Sequence, residues 1–174
     1  MGKKIDKAVF PGLQGGPHNN TSAGIAISLQ KAASKAFVHY AKAIVSNAKV
    51  LAAALIKEGF QLATGGTDNH LMVVDVRPFH IGGKELAESL DEAGIVTNYN
   101  TIPHDPNPPF RPSGIRLGTP AVSVRGMGDQ EMRKIASWMG KIAKNPNNNA
   151  LLKEINLEVK SLCQKFPINL SSSS

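Results

Sequence analysis

Gln14-Gly15-Gly16-Pro17 stands just ahead of a stretch with helical periodicity. Paired glycines let backbone N–H groups converge on an anion without Cβ interference, and a helix N-terminus adds positive potential. The segment reads either as a phosphate cradle or as a chain reversal before a helix; it matches neither the P-loop nor the dinucleotide fingerprint. Arg116 lies in Ser113-Gly114-Ile115-Arg116-Leu117-Gly118-Thr119-Pro120, among apolar residues on a short strand. A guanidinium there either faces an anion, a carboxylate being the best match for its planar fork, or closes a structural salt bridge with an acid of the middle segment.

Between Asn98 and Arg116 runs a loop that offers Asn100 and Phe110 on stiff backbone, either as a ligand wall or as plain surface. An asparagine amide can both donate to and accept from a heterocycle. Asp68-Asn69-His70 and His104-Asp105 put acids beside histidines, but neighbours in an extended segment point apart, so turn interactions are the simpler reading. Cys163 falls on or beside the apolar face of the last helix, and Trp138 within another helix; both read as packing.

These residues need elements to hold them. Ile25, Leu29, Ala33, Ala36, Tyr40, Ile44, Ala48, Leu51 and Leu55 step by three or four, which predicts one long amphipathic helix from Thr21 to Glu58. Asn20 or Thr21 could cap its start, and Gly59 stands at the left-handed position that ends a helix. Strands are expected at Phe60–Ala63 and His70–Val76, joined through Thr64-Gly65-Gly66-Thr67, then at Ile95–Asn98 and Ile115–Leu117. Helices are expected at Lys84–Ala93, Asp129–Lys144 and Ala150–Phe166. Five prolines between Ile102 and Pro112 make that loop stiff and irregular. The order predicts an α+β sandwich hung on a long helix, with no repeated strand–helix alternation.

The 174 residues are 41% hydrophobic and 19% charged, enough apolar material for a core. No run is long and apolar enough for a bilayer span, and the basic N-terminus has no signal-like apolar stretch. One cysteine gives neither a disulfide nor zinc-ligand spacing, and no metal site is expected. A soluble, cytoplasmic protein is the expectation. The net charge of +7 divides into +6 over residues 1–60, −3 over 61–120 and +4 over 121–174. Lys35, Lys42 and Lys49 recur on one helical face without interleaved aromatics, so a solvated face is favoured over nucleic-acid binding.

Three stretches together resemble serine hydroxymethyltransferase: Ala8-Val9-Phe10-Pro11-Gly12-Leu13-Gln14-Gly15-Gly16-Pro17, Gly65-Gly66-Thr67-Asp68-Asn69-His70, and Gly114-Ile115-Arg116-Leu117-Gly118-Thr119-Pro120-Ala121. They follow the family's order at compatible spacing, and the likeness extends to about Phe166. The resemblance implies the small C-terminal domain of an aminotransferase-like, fold type I enzyme that uses pyridoxal phosphate. It implies interconversion of serine plus tetrahydrofolate with glycine plus 5,10-methylenetetrahydrofolate, in a homodimer or homotetramer. Arg116 then matches the arginine that holds the substrate carboxylate. Gly15 and Gly16 match the loop whose backbone reaches the cofactor phosphate of the neighbouring subunit. Asn100 matches a pterin-contacting asparagine, and Pro108-Pro109-Phe110 a segment lining the folate site; Asp68-Asn69-His70 matches small-domain structure.

Two departures accompany the likeness. The chain reads His18-Asn19-Asn20-Thr21 where many members carry a histidine three residues past the proline. No Thr-x-x-His-Lys segment precedes the glycine loop, and Lys3, Lys4 and Lys7 do not match the family's Schiff-base lysine. The expected organisation is therefore a tail of the large domain (residues 1–20), a connecting helix (21–58), a small domain (59–170) and a disordered tail (171–174). The expected function is that of the enzyme's C-terminal segment, with no catalytic residue of its own and no activity alone. The alternative is an assembly or regulatory module that docks on an enzyme through the long helix.

Overall fold

The computed structural model describes residues 1–168, so the tail of serines expected to be disordered lies outside the described residues. The chain forms two compact units, divided between His39 and Tyr40.

The first unit holds α1 (Gly2–Lys7), α2 (Asn19–Ala32) and the first residues of α3 (Lys35–Glu58). Between α1 and α2, Phe10 is extended, and the Gln14 N–H donates to the Val9 carbonyl at 2.7 Å. The continuous helix expected over residues 21–58 is two helices. Ala33 and Ser34 form a turn in which the Ser34 N–H donates to the Lys31 carbonyl, while Ser34 Oγ accepts the Phe37 N–H at 3.1 Å. A serine hydroxyl competes with backbone groups for such bonds and starts a new helix, a local effect that apolar periodicity does not register. α2 begins at Asn19 without the expected side-chain cap. No residue of this unit is buried, and Ile5, Phe10, Leu13, Ile25, Ile27 and Leu29 are exposed.

The second unit contains the core. α3 buries Ala48, Leu51, Ala52 and Leu55 on one stripe. Its end follows the expected chemistry: Gly59 has φ +105°, and the Phe60 N–H reaches back to the Leu55 carbonyl at 3.0 Å. β1 (Gln61–Leu62), β2 (Leu71–Asp75), β3 (Asn98–Asn100) and β4 (Gly114–Gly118) form one antiparallel sheet in the order β1-β2-β4-β3. Met72, Val74 and Ile115 are buried on the core face. Val73, Arg116 and Asn98 stand opposite one another on the other face, which follows from the period of two along each strand. α4 (Gly83–Glu92), α6 (Asp129–Lys144) and α7 (Asn149–Lys165) complete the core through Leu86, Leu90, Met132, Met139, Ile142, Leu152 and Ile155.

The third strand lies later than expected. Ile95 cannot begin it, because its N–H donates to the Leu90 carbonyl at 2.8 Å as part of the cap that Gly94, at φ +84°, makes on α4. Pairing with β4 starts only at Asn98. α4 also approaches the sheet closely: the Gly83 N–H donates to the Pro112 carbonyl at 2.8 Å, and a Cβ on Gly83 would collide with the Gly114 backbone. A short helix, α5 (Pro120–Val124), was not anticipated; Pro120 occupies its first turn, where a missing N–H costs nothing.

α3 is tied to the chain that leaves β4. Tyr40 donates its hydroxyl to the Pro120 carbonyl at 3.2 Å, and Thr119 Oγ1 donates to the Ile44 carbonyl at 2.8 Å. Buried Asn47 donates to Ser123 Oγ and to the Met127 carbonyl, both at 2.9 Å. The strand bearing Arg116 is thus held at its exit by α3. At the far end, Arg125 donates to the Phe166 and Cys163 carbonyls, satisfying the last turn of α7. Cys163 packs against the core, as does Trp138, whose indole N–H donates to Glu158 at 3.2 Å.

Candidate functional site

The open face of the sheet and the loop beside it carry the candidate residues of the second unit. Arg116 is exposed on β4, directly across from Asn98 on β3, and its Nη2 lies 3.5 Å from Asn98 Oδ1. It makes no ion pair among the described residues, so the alternative of a structural salt bridge to the middle segment is not the one formed. The acid that is buried there, Asp75, is taken instead by Arg77: Nε lies 3.0 Å from both carboxylate oxygens and Nη2 2.7 Å from Oδ2. That pairing raises the Arg77 pKa, chiefly through the hydrogen bond to Asp75. Arg116 is left with most of its fork available for an anion.

Asn100 is two residues from Asn98 and therefore on the same face of β3; its Nδ2 donates to the Thr101 carbonyl at 2.6 Å. Pro108, Pro109 and Phe110 are exposed in the loop between β3 and β4. Next to this face lies a groove of about 810 Å³, lined by residues 63–69, by Leu71, Met72 and Val73, and by Thr101, Ile102 and Pro103. Val73, the cross-strand partner of Arg116, lines the groove, whereas Arg116 is not among its lining residues. The wall of residues 63–69 is a built turn: Thr67 Oγ1 donates to the Leu71 carbonyl at 2.7 Å, and Asn69 Oδ1 accepts the Leu71 N–H at 2.8 Å. Asn69 and Thr67 rather than Asp68 and His70 make those turn bonds.

His104-Asp105 is not an acid–base pair. Asp105 Oδ2 accepts the Ile102 N–H at 3.2 Å and the Ser113 N–H at 2.9 Å; Oδ1 accepts the Asn107 N–H at 2.9 Å and the Ser113 hydroxyl at 2.7 Å. Burial pushes the carboxyl pKa up, but the bonds from Ser113, Asn107 and Ile102 outweigh it and bring the value down to about 2. Asp105 is the residue that sequence reasoning undervalued. Its signal was Asp-Pro-Asn, a turn-forming triplet at the start of a proline-rich loop.

Gly15 and Gly16 belong to the first unit. Both are exposed, a Cβ at either would meet nothing within 4 Å, and their N–H groups have no backbone acceptor among the described residues. Free adjacent N–H groups of this kind fit a phosphate oxygen. Among the described residues no group of three or more His, Cys, Asp or Glu side chains is placed to hold a metal ion. Nor is any helix among them long and apolar enough to cross a membrane.

Comparison with known proteins gives the family. A family model for serine hydroxymethyltransferase matches residues 1–139. A serine hydroxymethyltransferase of Sorangium cellulosum is 56% identical over 163 residues, covering 94% of this chain and 38% of that protein. Those of Acidothermus cellulolyticus and Desulfotalea psychrophila are 53% and 50% identical, covering 95% of this chain and 40% and 39% of theirs. The chain therefore spans about two-fifths of the length of the curated relatives it matches. With a family model over residues 1–139 and relatives 50–56% identical over nearly the whole chain, the chain belongs to the serine hydroxymethyltransferase family.

Proposed function

We propose that this chain supplies the substrate-carboxylate and folate contacts of a pyridoxal phosphate-dependent serine hydroxymethyltransferase. The observation that carries the reading is Arg116: a guanidinium exposed on the open sheet face with one partner at 3.5 Å and no ion pair among the described residues. Its fork would hold the carboxylate of serine or glycine through two parallel bonds, which fixes the orientation of the Cα substituents. Asn100 would bond the pterin, and Pro108, Pro109 and Phe110 would wall it on stiff backbone. The Gly15 and Gly16 N–H groups would hold the phosphate of the cofactor in a neighbouring subunit of a homodimer or homotetramer. Pyridoxal phosphate, when bound, supplies the electron sink at the substrate Cα.

The chain spans about two-fifths of its relatives' length, which supports the reading that the 174 residues act with a further portion of the family's chain and are inactive alone. The exposed apolar side chains of the first unit support a covering partner, since α2 has Ile25, Leu29 and Ile27 on different faces and Lys31 as its one charge. The same observation serves the second reading, an assembly module docking on an enzyme. Activity would be cytoplasmic. Co-expression with the preceding three-fifths of the Sorangium relative, read by serine- and tetrahydrofolate-dependent glycine formation, tests both. Activity of the pair whose kcat/KM for serine Arg116→Lys lowers by about 100-fold supports the catalytic reading. Co-purification with activity indifferent to Arg116 supports the module. Serine cleavage by the chain alone, with a lysine-linked cofactor absorbance, overturns the claim of inactivity.

A further inference from the structure

We infer that Asp105 is the positioning residue of the folate loop, acting through Ser113 and Ile102 to set Asn100 and Phe110 in register; the inference rests on the functional reading above. The loop from Thr101 to Ser113 contains five prolines, so five of its backbone positions have no N–H to donate. Its own backbone bonds are few: Asp105 N–H to the Ile102 carbonyl at 3.1 Å and Arg111 N–H to the Pro108 carbonyl at 2.8 Å. Stiff pieces joined without a ladder hold one shape only if something ties them. Asp105 does so with four bonds from three residues at 2.7–3.2 Å.

The placement of those bonds gives them their consequence. Ile102 lies two residues beyond Asn100, and Ser113 immediately precedes Gly114, which pairs with Asn100 across the ladder. Asp105 therefore clamps the exit of β3 to the entry of β4, just where the pterin-contacting asparagine stands. Asn107 adds a second tie, its Nδ2 donating to Ser113 Oγ at 2.8 Å. Pro108, Pro109 and Phe110 follow directly. Phe110 is 70% exposed, so the backbone shape that this clamp holds sets its position. An aspartate accepts all four bonds; an asparagine amide replaces one acceptor oxygen by a donor facing N–H groups.

The test uses two readouts. In the free chain, chymotryptic cleavage after Phe110, followed by mass spectrometry, is expected to rise about tenfold in Asp105→Asn and less in Ser113→Ala, which removes the hydroxyl's bonds to Asp105 and from Asn107 but keeps the three backbone N–H bonds to the carboxylate. In the co-expressed pair, Asp105→Asn and Ser113→Ala are expected to raise the KM for tetrahydrofolate, about tenfold in the former, with the KM for serine unchanged. A general loss of stability would not split the two KM values in that way. Unchanged cleavage in both variants overturns the proposal, as does faster cleavage with both KM values unmoved. A wild-type pair with no transfer activity overturns the functional reading of the loop, while the cleavage comparison still decides whether Asp105 holds it.

Discussion

Asn98 and Arg116 are cross-strand partners on the open face of the sheet, with Oδ1 and Nη2 3.5 Å apart and no acid in ion-pair reach of the guanidinium among the described residues. The contact is long enough to orient the fork without using it up. Arg116→Lys is expected to leave the urea midpoint of the free chain within about 0.5 kcal/mol of wild type, because an exposed side chain with one weak partner contributes little. In the co-expressed pair the same change is expected to lower kcat/KM for serine by about 100-fold, the loss of a two-bond carboxylate grip at roughly 2.7 kcal/mol. A large loss of stability, or unchanged kinetics, would contradict the assignment.

Asp105 makes folding dependent on pH in a defined direction. Its pKa is about 2 in the folded chain against an ordinary 3.8, so between those values the unfolded state binds more protons. The stabilisation is complete above the ordinary value and is lost as pH falls through about 2. Urea unfolding between pH 6 and pH 3 is expected to show stability falling in the lower part of that range, and Asp105→Asn is expected to flatten the fall. Equal pH dependence in the two proteins would show that other carboxylates cause it.

Asn47 and Thr119 both tie α3 to the chain beyond β4, but their losses should differ. Asn47→Ala removes a buried donor from both Ser123 Oγ and the Met127 carbonyl and leaves a small cavity, a cost of about 2–3 kcal/mol. Thr119→Val keeps the shape and removes one bond to a helix carbonyl, a cost of about 1 kcal/mol. Denaturant titration of the two variants checks the order; the reverse order would mean the ties do not act as described.

Gly83→Ala should be the most damaging small change in the second unit. The added methyl group would run into the Gly114 carbonyl, carbonyl carbon and amide, none of which can move without parting α4 from β4. Overpacking of this kind costs about 1–3 kcal/mol or more. Gly82→Ala, one residue away, has nothing within 4 Å of the new methyl group and is the matched control. Equal thermal midpoints for the pair would refute the close approach.

Much of this molecule could be read before its structure. The helix over Asp129–Lys144, the glycine caps at Gly59 and Gly94, and the two central strands follow from local chemistry: apolar periodicity, and positive φ where a glycine tolerates it. What escaped was competition between neighbours for the same bond. Ser34 Oγ accepts the Phe37 N–H and splits a periodic helix; the Ile95 N–H donates to the Leu90 carbonyl and delays a strand. Neither bond leaves a mark in the spacing of apolar residues.

The candidate site divides in the same way. Sequence alone determined the residue types and their order, a glycine pair, an arginine within Gly-Ile-Arg-Leu-Gly-Thr-Pro and a proline-rich loop, because those identities and spacings are properties of the chain itself. Whether Arg116 was free or spent on a salt bridge was decided only by folding, since Asp75 is reached by Arg77, two residues along, before any distant arginine. The role of Asp105 was likewise decided in three dimensions: its four bonds come from residues three positions before, two after and eight after it, and only the folded loop brings those donors to one carboxylate.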